Sequence, residues 1–112
     1  MIPLQVHITA GPQAGTRLQL TQSPVSFGRS PENTLVLDLT TVSRNHGELR
    51  FEEGQWWLHN LSQNGTKIGR KRVTKKPRAI AEGDAISIGD EEVFRAYYAQ
   101  EATPAADPNA LG

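Results

Sequence analysis

Short apolar–polar alternations recur along this chain, and clusters of Gly, Pro, Asn, Asp and Ser interrupt them about every 8 to 12 residues. Period-two alternation places one face of a segment in a core and the other in water, whereas an amphipathic helix needs an apolar stripe at a period near 3.6. That second period is absent, so the pattern predicts an all-β sandwich or barrel. Strands are expected at 3–9, 17–20, 25–27, 35–36, 47–52, 55–60, 67–68, 71–73, 78–81, 85–88 and 92–99. The clearest hairpin runs over 48–59: Glu53-Gly54 supplies the turn, and Leu49, Phe51, Trp56 and Leu58 supply the apolar face. Gly11-Pro12, Gly15, Ser30-Pro31-Glu32-Asn33 and Glu82-Gly83-Asp84 read as ordinary turns.

With 112 residues the chain fits one domain, burying roughly two thirds of the surface its unfolded form exposes. It has no cysteine, which removes disulfides, thiolate metal sites and a Cys nucleophile from consideration. Residues 1–10 alternate and lack a basic start or an apolar run of targeting type, so they read as a first strand. No run reaches the length of a membrane span, and a cytoplasmic location is expected. Beyond Tyr98 the composition shifts to Ala, Pro, Glu, Asp and Asn, so the expected division is a domain over 1–99 and a flexible tail over 100–112. Formal charge is zero but unevenly spread: residues 17–78 hold 11 Lys and Arg against 5 Asp and Glu. The run from Arg70 to Arg78 must form a local basic patch.

Three islands fall in the gaps between strand-like runs: Gly28-Arg29, Ser43-Arg44-Asn45-His46 and Asn64-Gly65-Thr66. Together they supply what an anion-reading site needs. A guanidinium forks onto phosphate, a serine hydroxyl donates to another oxygen, and an asparagine amide offers a donor and an acceptor to a peptide backbone. Nothing among them makes or breaks bonds.

These islands, with Phe27-Gly28-Arg29, Asn60-Leu61-Ser62-Gln63-Asn64-Gly65-Thr66 and Gly83-Asp84-Ala85-Ile86-Ser87-Ile88-Gly89, resemble the forkhead-associated (FHA) domain, and the resemblance runs from about Leu4 to Tyr98. It implies a SMAD/FHA-like β-sandwich of two antiparallel or mixed sheets that binds phosphothreonine in partner proteins, the products of a Ser/Thr kinase. On that resemblance Arg29, Ser43, Arg44, Gln63 and Asn64 contact the phosphopeptide, while Gly28, His46, Gly65 and Thr66 support the site. Gly65 is expected to allow a turn conformation that places Asn64. Gln63 departs from the threonine that many relatives carry there. The basic run would border the groove beside the phosphothreonine and favour acidic ligands.

Other classes fit less well. An enzyme would enlist Ser43 and His46, yet no nucleophile elbow, Cys-His pair or paired-carboxylate motif is visible, so no catalytic residue and no cofactor is assigned. His7, His46 and His59 lack metal-ligand spacing, and no metal is expected. A nucleic-acid-binding β-domain could combine the basic run with Trp56 and Trp57, but adjacent strand residues face opposite ways and one Trp belongs in the core. An FHA-fold adaptor that ignores phosphate is the remaining alternative.

Overall fold

The computed structural model describes residues 1–99; the expected tail at 100–112 lies outside the described residues. Eleven strands form two sheets: β1 (Leu4–Ile8), β2 (Arg17–Leu20), β3 (Val25–Gly28), β4 (Leu35–Val36), β5 (Gly47–Glu52), β6 (Gln55–Asn60), β7 (Thr66–Ile68), β8 (Lys71–Val73), β9 (Arg78–Ala79), β10 (Asp84–Ile88) and β11 (Glu91–Tyr98). One sheet runs β2-β1-β11-β10-β7-β8 and the other β4-β3-β5-β6-β9. All pairings are antiparallel except β3 with β4, so the second sheet is mixed. The sandwich of two antiparallel or mixed sheets is therefore realised.

Alternation sets which faces meet. Leu4, Val6 and Ile8 of β1, Leu49 of β5, Trp56 and Leu58 of β6, and Ile86 and Ile88 of β10 are all buried between the sheets. Trp57 points to the outer face and ties its indole N–H to the Glu52 carbonyl at 3.0 Å. A register shift opposite Ile86 and Ser87 lets the consecutive Val93 and Phe94 both enter the core, which strict alternation forbids. In the β5–β6 hairpin Glu53 and Gly54 both have positive φ, 54° and 82°, as a type I′ turn requires; Glu53 is there without the short side chain that usually tolerates it.

Strand limits differ from expectation by a residue or two, for local reasons. Strand β9 stops at Ala79 because the next turn captures the backbone: the Ala81 N–H donates to Asp84 Oδ2 at 2.8 Å. At the end of the sandwich where β11 finishes, the Tyr98 hydroxyl accepts from the Trp56 N–H and donates to the Ile80 carbonyl, both at 2.7 Å, bolting one sheet to the other. The Trp56 indole N–H reaches the Ile2 carbonyl at 2.8 Å, and the Ala99 N–H bonds the Pro3 carbonyl at 2.9 Å, so both ends of the described chain meet here. At the other end the β10–β11 turn meets the β6–β7 loop, where the Gly89 N–H donates to the Gly65 carbonyl at 2.9 Å.

Candidate functional site

The islands converge at that second end. Strand β3 delivers Gly28 and Arg29 against the β4–β5 loop: the Arg29 N–H bonds the Ser43 carbonyl at 2.9 Å and the Ser30 N–H bonds the Arg44 carbonyl at 3.2 Å. Gly28 makes this approach possible, because a Cβ there would collide with the Arg44 carbonyl oxygen. Buried Asn33 adds a clasp, its amide Nδ2 donating to the Ser30 carbonyl at 2.9 Å and the Arg44 carbonyl at 2.7 Å. Arg29 is exposed and donates from Nε to the Val42 carbonyl at 3.0 Å; no described residue accepts from its two terminal nitrogens. The guanidinium is aimed by one nitrogen while its outer edge remains able to bind an anion.

His46 is fully buried and carries the loops on its two ring nitrogens. Nδ1 accepts the Ser43 N–H at 3.0 Å, and Nε2 lies 2.8 Å from Thr66 Oγ1. A backbone N–H can only donate, so Nδ1 is unprotonated and Nε2 holds the hydrogen. Thr66 accepts it and passes its own hydrogen to Asn60 Oδ1 at 3.0 Å. Asn60 in turn accepts from the Ser62 N–H at 3.3 Å and donates to the Ser62 carbonyl at 3.0 Å. One directed chain thus fixes the β4–β5 loop, β7 and the β6–β7 loop relative to one another.

A proton on Nδ1 would break that chain, and burial pushes the His46 pKa from 6.5 down to about 4. As pH falls below 6.5 the unfolded chain takes up a proton that the folded chain refuses, so stability drops through the window from 6.5 towards 4. By pH 5 the loss should reach about 2 kcal/mol, before ordinary carboxylates titrate appreciably. Denaturant midpoints recorded from pH 7 to pH 5 check this; an unchanged midpoint would exclude the His46 chain as a contributor.

Ser43 and Ser62 meet hydroxyl to hydroxyl at 2.5 Å. Ser62 Oγ also accepts the Asn64 N–H at 3.0 Å. The Asn64 amide Nδ2 donates to the Thr41 carbonyl at 2.9 Å and approaches Ser43 Oγ at 3.5 Å; the side-chain oxygen Oδ1 of Asn64 has no partner among the described residues. Arg44 is exposed and serves the structure through its main-chain carbonyl.

Gln63 is exposed and borders a groove of about 340 Å³ that also involves Ser62, Asn64, Arg72 and Lys75. Gly65 lies outside the left-handed φ region and a Cβ there would meet nothing within 4 Å, so the conformational role expected for it is corrected. The turn is held by Ser62 Oγ and by the bond from Gly89 instead.

Three contributors are not evident from the sequence pattern. Ser62 stands beside Gln63 in the same island, and a count of hydroxyls in that loop would have found it. Asn60 reads as a strand residue and Asn33 as a turn residue; their partners are set by the fold. Among the described residues no three His, Cys, Asp or Glu side chains gather as a metal-ligand set, and no helix is long and apolar enough to cross a membrane.

The fold and the family of the chain are shared with known proteins. The FHA domain family model matches residues 25–89. The glycogen accumulation regulator GarA of Mycolicibacterium smegmatis is 40% identical over 83 residues, covering 73% of this chain and 51% of GarA. The chain spans about half the length of the curated relatives it matches. The solution structure of the FHA domain of an Arabidopsis thaliana hypothetical protein superposes with a TM-score of 0.83 at 20% identity, covering 94% of this chain and 92% of that one. A structure from a study of phosphothreonine-dependent FHA domain interactions has a TM-score of 0.75 at 27% identity, covering 88% and 99%.

Proposed function

Because this chain belongs to the FHA domain family, we propose that it is a non-enzymatic phosphothreonine-binding module that joins its bearer to partners modified by a Ser/Thr kinase. The observation that carries this reading is the convergence of Arg29, Ser43 and Asn64 from three loops around one hydroxyl pair. A phosphothreonine brings a charge of about −1.5 to −2 at neutral pH and three strong acceptor oxygens. Arg29 supplies the permanent cation. Ser62 Oγ accepts from the Asn64 N–H, and either hydroxyl of the Ser43–Ser62 pair can donate to the other; with Ser62 donating, the Ser43 hydroxyl hydrogen is left for a phosphate oxygen. The Asn64 side-chain Oδ1, without a partner among the described residues, accepts from the ligand's backbone, so the peptide is fixed without its neighbouring side chains being read. Arg44 adds a second exposed cation, and Gln63 borders the path of the flanking residues. The same chemistry fits the cytoplasm, where kinases and their products meet.

A calorimetric titration with a degenerate phosphothreonine peptide pool and its unphosphorylated twin tests the proposal. Saturable heat from the phosphorylated pool alone is the expected result. Equal binding of both pools would favour the phosphate-independent adaptor, and silence from both would remove the phosphothreonine reading.

A further inference from the structure

Each sheet ends in two edge strands, and three of these four edges are guarded. Strands β4 and β9 are two residues long, Pro77 stands immediately before β9, and β8 carries Lys71 and Arg72. Short strands, proline and charged side chains, lysine above all, are common means of keeping an edge from pairing with another chain. The fourth edge is less protected. Strand β2, Arg17-Leu18-Gln19-Leu20, has four residues, no proline, and one charge, at its start.

The neighbouring ladder fixes which way the main chain of β2 faces. On one side of β1 the Thr9 N–H donates to the Val93 carbonyl and the Ala99 N–H to the Pro3 carbonyl, both at 2.9 Å, so the odd-numbered residues bond β11. On the other side the Ile8 N–H donates to the Thr16 carbonyl at 2.9 Å. Hydrogen-bonded pairs alternate along an antiparallel ladder. With Val6 opposite Leu18 and Leu4 opposite Leu20, the two leucines bond β1, and Arg17 and Gln19 turn their N–H and C=O groups outward. Among the described residues nothing else bonds those four groups.

We infer that β2 pairs antiparallel with β2 of a second copy of this chain, about a two-fold axis at Leu18, joining two six-stranded sheets into one. An interface of this symmetry must complement itself, and the polar–Leu–polar pattern centred on Leu18 does so. Each Arg17 lies opposite Gln19 of the other copy, and these two pairs supply four main-chain hydrogen bonds. Leu18, partly buried against its own core, meets Leu18 of the second copy at the close, non-hydrogen-bonded position, so the two side chains cover each other. No like charges face across the junction, and a formal net charge of zero leaves no overall repulsion between copies. Antiparallel pairing points the loops that carry Arg29, Ser43 and Asn64 in opposite directions in the two copies. The pair therefore links two separate ligand molecules, a consequence that, unlike the pairing, rests on the phosphothreonine reading.

The test combines sedimentation equilibrium with amide hydrogen exchange followed by NMR, on the chain at about 10 µM and about 1 mM. A junction this small belongs to the weak class, with a dissociation constant on the order of 0.1 mM. At the higher concentration the Arg17 and Gln19 amides should then exchange about fourfold more slowly, while the Leu18 and Leu20 amides, bonded to β1, are protected at both. Gln19→Pro removes an outward N–H at an edge position where proline is tolerated, and Gln19→Lys sets a lysine opposite Arg17. Each should weaken association more than about tenfold, reduce the slowing at Arg17 below about twofold, and leave the melting temperature nearly unchanged. A monomeric mass at both concentrations overturns the proposal, as does protection of Arg17 and Gln19 that ignores concentration. Association that survives both substitutions overturns it too, because another surface would be responsible. If the two amides slow only when a synthetic valine- and threonine-rich extended peptide is added to the dilute chain, the occupant is a foreign strand and self-pairing falls.

Discussion

Arg29→Ala is expected to abolish measurable binding of phosphothreonine peptides while leaving the fold in place. Truncating one partner of a hydrogen-bonded charge pair commonly costs about 2 to 5 kcal/mol, and micromolar binding is worth only about 8 kcal/mol in all. Such a loss would carry a micromolar ligand beyond the range of ordinary calorimetry. Within the protein the substitution removes one side-chain bond, from Nε to the Val42 carbonyl, at an exposed residue. Thermal melts should therefore shift little. Arg29→Lys is the informative companion: it keeps the charge and loses the fork, so it should retain part of the affinity. If Arg29→Ala bound as well as the unmutated chain, the anion would have to sit elsewhere on the domain.

Gly28→Ala should have the largest effect on the protein itself. The new methyl group would collide with the Arg44 carbonyl oxygen and stand 2.9 Å from Asn33 Nδ2, which forces β3 and the β4–β5 loop apart. Overpacking against backbone costs about 1 to 3 kcal/mol, and separation would also disturb the Arg29–Ser43 and Asn33–Arg44 bonds, so a loss of about 3 kcal/mol is expected. At about 4 to 8 °C per kcal/mol for a domain of this size, the melting temperature should fall by more than about 10 °C. Gly65→Ala is the matched control, since a Cβ there meets nothing within 4 Å, and its melting temperature should barely move. Similar melting temperatures for Gly28→Ala and the unmutated chain would show that the contact between the loops is not tight.

Both substitutions lie in motifs that are legible in the amino-acid sequence, and the strands around them are legible too, because alternation and turn chemistry act over a few residues. Trp56 and Trp57 illustrate the reach of that logic: neighbours on a strand must face apart, and one of them is core while the other covers an outer face. Two kinds of feature lie beyond it. The bulge that admits both Val93 and Phe94 to the core depends on how β11 is paired, which periodicity does not encode. The polar chain from Ser43 through His46, Thr66 and Asn60 to Ser62 joins residues up to 20 positions apart, so its members look like ordinary strand and loop residues until the sheets close. Gly65 marks the opposite failure, a glycine credited with a backbone task that hydrogen bonds perform.

The bond between Ala99 and Pro3 has a meaning for architecture. It brings the way into the sandwich and the way out to the same pole, with the Tyr98 bolt beneath them and the loops that carry Arg29, Ser43 and Asn64 at the far pole. A segment attached at either junction would start from the pole away from Arg29. Such a fold behaves like a plug with both wires at the back: it can be spliced into unrelated polypeptides, singly or in series, with its socket still facing outward.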